Sequence, residues 1–174
     1  MGAVAALEIL SAGPLASVQD LGRFGSGRYG VAPSGAMDTY ALRIANLLVG
    51  NREDEAAIEV TLAGFSARIL TDLVVAITGA DLQPSLNKQP LQMWCAHVLK
   101  RGDILSFRKV RSGCRVYISL GGGISVPLVM GSKSTCLSAA FGGFNGRPLK
   151  GGDILSLGKN KPGPAAWQER SILK

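Results

Sequence analysis

Few side chains in this sequence are equipped for chemistry, and several of them stand close together. Gln19, Asp20 and Arg23 lie within five residues, surrounded by glycine. A glutamine offers both a donor and an acceptor, which suits an amide, urea or lactam group. Arg23 and Arg115 can each take a carboxylate through two parallel hydrogen bonds. Glu59 interrupts an otherwise apolar run, and Arg115 opens another. Asp38 and Asn46 stand two turns apart on a predicted helix and so share roughly one face. In Gly131-Ser132-Lys133-Ser134-Thr135, consecutive amides beside hydroxyls could hold a carboxylate, carbonate or phosphate. A plain hydroxyl-rich turn explains that segment equally well. Asp20–Arg23 and Glu59–Arg115 equally suit ion pairs that organise loops.

Two better-known patterns are present only in outline. Gly25-Ser26-Gly27-Arg28-Tyr29-Gly30 satisfies G-x-G-x-x-G. A dinucleotide turn needs a hydrophobic strand before it and a helix starting within it, so that the helix N-terminus meets the pyrophosphate. Here SVQDLGRF precedes the glycines, and VAPSGAMD places a proline and a further turn before any helix. The context argues against a Rossmann site. Gly131–Thr135 resembles the end of a P-loop, yet Ser132 separates glycine from lysine and Val126 stands where the first glycine belongs. Arg101-Gly102-Asp103 reads as the charged start of a strand.

The elements that must position these residues are mostly short strands. One segment, MDTYALRIANLLVGN, predicts a helix, with Met37, Tyr40, Ala41, Ile44, Ala45 and Leu48 at spacings of three and four. Ser34 or Asp38 caps its start, and Gly50-Asn51 supplies a left-handed stop. Strands are expected over residues 58–63 and 66–70, flanking Gly64 as a hairpin would, and over 73–78, 82–87, 91–94, 104–107 and 115–120. Pro84 demotes its strand to an edge or irregular one. GDILSF at 102–107 recurs as GDILSL at 152–157, a turn glycine and aspartate leading into an alternating strand. The pattern predicts a mainly β fold, a closed or nearly closed β-barrel with one or two α-helices, over residues 1–158. Residues 159–174 read as a polar tail or linker.

Composition narrows the function classes. The 174 residues carry a formal charge of +7, and 47% are hydrophobic, a globular balance. The basic residues are scattered, densest at Lys100-Arg101, Arg108-Lys109 and Arg111, and aromatics are 6%, too few for a base-stacking platform. Nucleic acid is therefore not the expected partner. A basic surface that draws in anionic small molecules, or an acidic protein, fits. Cys95, Cys114 and Cys136 form no C-x-x-C pair and read as reduced thiols, and with His97 as the single histidine no zinc site is expected. The N-terminus lacks a basic region and carries Glu8, and no run approaches the roughly 20 apolar residues of a membrane span. A cytoplasmic protein without membrane contact is expected.

The motifs also occur in a familiar order. SVQDLGR (17–23), GVAPSGAMD (30–38) and AN-x-L-VGN (45–51) are followed by AAIEVTLAG (56–64), AITGAD (76–81) and GCRVYISLGGGISVP (113–127), then GSKST and GRPLKGGD (146–153). This series resembles the allophanate hydrolase subunit 2 family, which includes the KipA proteins described as the C subunit of 5-oxoprolinase. It is also similar to part of the carboxyltransferase region of biotin-dependent urea carboxylase.

The resemblance implies a cyclophilin-like β-barrel and association with two partners, a KipI-like B subunit and an A subunit. Such an assembly uses ATP to open 5-oxoproline to glutamate. A site for this lactam needs an amide-complementary group, a carboxylate clamp and a means to polarise the carbonyl. Gln19, Arg23 and the Ser132–Thr135 turn suit those tasks. A second reading is carboxyl transfer from carboxybiotin to a urea-like nitrogen, which requires a biotin carrier from a partner. A third is a non-catalytic regulatory module of the KipA type. Members of the family run to about twice this length, so an isolated chain of this size is expected to be inactive.

Overall fold

The computed structural model describes residues 4–158, so the expected tail at 159–174 lies outside the described residues. The chain is mainly β. Strands β1 (Val4–Ala12), β4 (Phe65–Ile69), β6 (Pro84–Leu86), β7 (Gln89–Pro90), β9 (Ile104–Phe107) and β11 (Ile154–Leu157) form a six-stranded sheet in the order β11-β1-β4-β9-β6-β7. Strands β2 (Leu15–Gln19), β3 (Ala57–Thr61), β5 (Leu73–Asp81), β8 (Ala96–Leu99) and β10 (Ser112–Leu120) form a second sheet, β2-β3-β10-β5-β8. One apolar cluster, with Ile9, Val18, Ile58, Phe65, Ile77, Phe107 and Ile118 among its members, draws side chains from both sheets.

The sequence predicts a closed or nearly closed barrel; full closure is not formed, because no strand pair among the described residues joins the two sheets. The sheets are instead linked by a folded ribbon. β1 and β2 are successive on either side of Gly13, and β3 and β4 on either side of Leu62–Gly64. β1 pairs with β4 and β2 with β3, both antiparallel. Gly13 (φ 62°) and Gly64 (φ 103°) pack at the crease, where a Cβ on Gly13 would sit 3.1 Å from the Ala63 carbonyl. The expected β3–β4 hairpin is therefore a corner between sheets. Gly64 supplies the bend but not the pairing.

Three further differences have local causes. Residues 91–94 are not a strand, since Trp94 adopts a positive φ of 62°. β6 is capped by the two-residue β7, so Pro84 sits one strand in from the edge. Strands β1, β2, β7 and β8 were not expected.

Helix α1 (Thr39–Leu48) begins where Asp38 accepts a hydrogen bond from the Ala41 amide at 2.9 Å and stops before Gly50 (φ 73°). It lies on the outer face of the second sheet, packing Ala41, Leu42 and Ala45 against Ala57 and Tyr117. Met37 and Tyr40, expected on the buried stripe, point outward with 72% and 66% exposure. Leu42 and Asn46 take their places, both fully buried. The three cysteines form no disulfide. No helix among the described residues is long and apolar enough to cross a membrane.

Candidate functional site

The end of β2 delivers Gln19 and Asp20 to a turn that Gly22 (φ 97°) makes possible. A Cβ there would lie 2.8 Å from the Ser34 carbonyl. Asp20 closes this turn by accepting the Gly22 amide at 2.7 Å. Its carboxylate also accepts from the Ser132 hydroxyl at 2.7 Å, the Lys133 amide at 2.6 Å and the Ser134 hydroxyl. The Ser134 hydroxyl in turn accepts the Asp20 amide at 3.0 Å. Gln19 donates to the Thr135 carbonyl and the Ser17 hydroxyl while accepting the Gly35 amide. Two motifs more than a hundred residues apart are thus laced together, and both ends of the Gln19 amide are engaged.

Arg23 reaches the same 132–135 segment through the Ser134 carbonyl. It makes no ion pair with Asp20 among the described residues. Its guanidinium donates from Nη2 to the Ser134 carbonyl at 2.5 Å and from Nε to the Val129 carbonyl at 3.5 Å, and it lies 4.7 Å from the centroid of the Phe141 ring. Arg23 is only 2% exposed, and its Nη1 has no hydrogen-bond partner. A buried guanidinium without a counter-charge carries an uncompensated desolvation cost. Cys136 lies close by, its thiol held below the ordinary range by the hydroxyls of Ser138 and Ser34. The Gly142-Gly143 backbone closes over the site so tightly that a Cβ on Gly142 would lie 2.8 Å from Arg23 Nη2.

The amides of the 132–135 turn are all donated within the chain. Ser132 donates to Val129, Lys133 to Asp20, Ser134 to the Ser132 hydroxyl and Thr135 to Val18. The Lys133 ammonium bridges Glu55 at 2.5 Å and the Ile124 carbonyl at 3.2 Å. The turn holds engaged hydroxyls and a half-buried ion pair, with no free amide nest.

Glu59 belongs to a second polar cluster beneath the start of α1. Pairing across the second sheet aligns Ser17, Glu59, Tyr117 and Thr78 in one row. Tyr117 donates to Glu59 at 2.6 Å, and burial with this carboxylate pushes the phenol's ionisation well above its usual value. Arg115 approaches Glu59 at 3.6 Å and donates to the Thr61 hydroxyl. The two clusters share one cargo. The amides of Gly35, Ala36, Met37 and Asp38 go in turn to Gln19, the Asp20 carbonyl, Glu59 and the Tyr117 hydroxyl. Gly35 itself is pressed against Gly22, where a Cβ would meet the amide nitrogen at 2.8 Å.

Asn46 stands apart from Asp38. It is a buried staple that donates to the carbonyls of Glu53 and Glu55. Sequence reasoning missed Tyr117, Phe141, Cys136 and Glu55. Tyr117 and Glu55 were visible only as members of quoted motifs or their flanks, and Phe141 carries no polar signal. No metal-ligand cluster occurs among the described residues.

Comparison with known proteins places this arrangement. The carboxyltransferase domain, subdomain A and B, matches residues 29–173. The chain is 43% identical over 155 residues to the C subunit of 5-oxoprolinase from Escherichia coli, covering 89% of this chain and 50% of that protein. It is 46% identical over 157 residues to urea amidolyase of Saccharomyces cerevisiae, covering 90% of this chain and 9% of that one. The crystal structure of the K. lactis urea amidolyase superposes with a TM-score of 0.86 at 45% identity, over 93% of this chain and 10% of that chain. The chain thus spans about half the length of the bacterial relative, and far less of the yeast enzymes. With the match extending over most of its length, the chain belongs to the carboxyltransferase subdomain A and B family.

Proposed function

We propose that the chain acts as the C-type component of an ATP-dependent 5-oxoprolinase, helping to hydrolyse 5-oxoproline to glutamate with an A-type partner and a KipI-like B-type partner. The observation that carries this reading is Arg23, a buried guanidinium with one nitrogen unpaired and no carboxylate beside it. 5-Oxoproline brings a carboxylate next to its lactam, and a guanidinium is the group that receives one best. Reaching Nη1 requires the Phe141 ring or the Gly142-Gly143 backbone to move, a motion that assembly with further chain or subunits would drive. Phe24, Met37, Leu128 and Met130, on loops flanking the site, are exposed apolar side chains of the kind that mark association. The 132–135 amides do not fit a triphosphate, because all are engaged, so ATP is assigned to the assembly and not to this turn.

The likeness to yeast urea amidolyase favours a second reading, carboxyl transfer from biotin to a urea-like nitrogen. That reading needs a biotin carrier from a partner, since no lysine here stands in an Ala-Met-Lys-Met context. The test supplies the missing half and the partner subunits and follows glutamate release from 5-oxoproline with ATP. Glutamate formed only with ATP and the full set of subunits is the expected result. Absence of glutamate, with a biotinylated protein co-purifying on an avidin blot, would transfer the assignment to urea chemistry. Full activity of Gln19→Ala and Arg23→Ala with loss of partner binding would point to a regulatory module.

A further inference from the structure

A concavity elsewhere on the molecule shares no lining residue with the Asp20 cluster. It is a groove of about 680 Å³ between the end of the β5–β10 pair and the β6–β7 hairpin. Its construction begins with Gly79, whose φ of 90° leaves no room for a side chain, since a Cβ would lie 2.5 Å from the Arg115 carbonyl. The β5–β10 register shifts between Ser112 and Val116, and the exposed segment 108–111 forms one lip. The other lip is the Asn87-Lys88 hairpin tip, where φ values of 50° and 72° fit a two-residue turn of the type that twists with its strands.

Charge and shape differ between lips and floor. Lys88, Arg108 and Arg111 line the groove. No carboxylate pairs with Lys88 or Arg108 among the described residues, and Arg111 meets Asp81 only at 3.7 Å on an exposed side chain. Such a surface pair contributes little and exchanges readily. Leu91, Met93 and Trp94 supply apolar lining beside the polar Asp81, Gln83, Ser85 and Ser112. Trp94 holds a left-handed backbone (φ 62°), which a bulky residue adopts only under constraint, and its amide is fixed to the Ile77 carbonyl at 2.8 Å. Strained residues of this kind cluster at ligand sites. Volume, some apolar lining and three cations on one groove together suit a small-molecule pocket.

We propose that this groove binds a small organic anion, a carboxylate or phosphate head on a flat apolar body. The head lies among Lys88, Arg108 and Arg111, and the body lies against Trp94, Leu91 and Met93. The site stands independently of the 5-oxoprolinase reading, which rests on Arg23.

The test is an NMR titration of the whole chain, following the Trp94 indole N–H, distinguished from that of Trp167 by Trp94→Phe. The probes are 2-naphthoate, 2-naphthyl phosphate and the uncharged 2-naphthamide. At least one anion should shift the Trp94 signal saturably with a Kd below about 1 mM. The amide should bind about tenfold more weakly, and added salt should weaken only the anions. The tighter of the two anions identifies the head group. Arg108→Gln with Arg111→Gln, both on exposed positions, should weaken the anion about tenfold while the circular dichroism spectrum stays native. Equal binding of amide and anions overturns the proposal, as does undiminished binding by the double variant. Response to an acidic peptide but to neither anion also overturns it and makes the groove a protein-docking surface.

Discussion

Arg23 and Tyr117 show how differently two buried polar side chains can be used. Every polar atom of Tyr117 is committed, donating to Glu59 and accepting from Asp38. Tyr117→Phe should therefore cost about 1–3 kcal/mol, read from urea unfolding, because it leaves the Asp38 amide without its acceptor and takes one of two donors from Glu59 Oε2. Arg23 keeps one nitrogen uncommitted. Arg23→Lys retains the charge and loses the fork. In the reconstituted assembly it should raise KM for 5-oxoproline about tenfold or more, with a smaller change in kcat. A variant that lowers stability with unchanged KM would make Arg23 a structural residue. The sequence grouped Gln19 and Arg23 with Ser132–Thr135 and Arg115; the fold brings the first three together around Asp20, while Arg115 lies with Glu59 and Thr61. Their partners were not legible. Asp20 looked matched to Arg23 three positions on, yet the two meet only through Ser134, and Asp20 finds most of its donors over a hundred residues away.

At the scale of elements, the GDILS echo proves to be structural. In both copies a lysine amide is capped by the aspartate, Lys100 by Asp103 at 2.8 Å and Lys150 by Asp153 at 2.9 Å. The strands that follow occupy matching places, β9 beside β4 and β11 beside β1. In each copy the glycine and the aspartate bracket one isoleucine, Ile69 of β4 or Ile9 of β1, through 2.8 Å bonds. The central β1–β4 pairing sets Glu8 opposite Arg68, so the repeat has a local two-fold axis. The short motif announced the two strands, but their relation needed β1, which apolar composition alone did not mark out.

The copies differ in one respect. Asp153 also takes both nitrogens of Arg147 at 2.8 Å, which holds its carboxyl below the usual value. A depressed folded pKa contributes stability above the unfolded carboxyl's range and loses it as pH falls through the folded value. Asp153→Asn should accordingly lower Tm at pH 7, with the gap to wild type closing on acidification. A gap that persists unchanged into strong acid would contradict this. Gly79→Ala should cost at least about 1–3 kcal/mol from backbone strain alone, measured by urea unfolding, and should close the groove to naphthoate.

At the scale of the molecule, a mainly β architecture was legible from short strands and glycine turns, whereas closure was not. Whether a ribbon turns back as a hairpin or folds into a second sheet depends on two glycine corners meeting in space, Gly13 on Gly64, and no local pattern encodes that meeting. The +7 charge was likewise read as scattered, and the fold gathers part of it around one groove. The most direct test combines this chain, the remaining half of the family's full length and the two partner subunits with 5-oxoproline and ATP. ATP-dependent glutamate release that requires this chain, with a KM for 5-oxoproline that rises with Arg23→Lys, is the expected result. Failure of the complete assembly to release glutamate, or a rate and KM indifferent to Arg23, would contradict it.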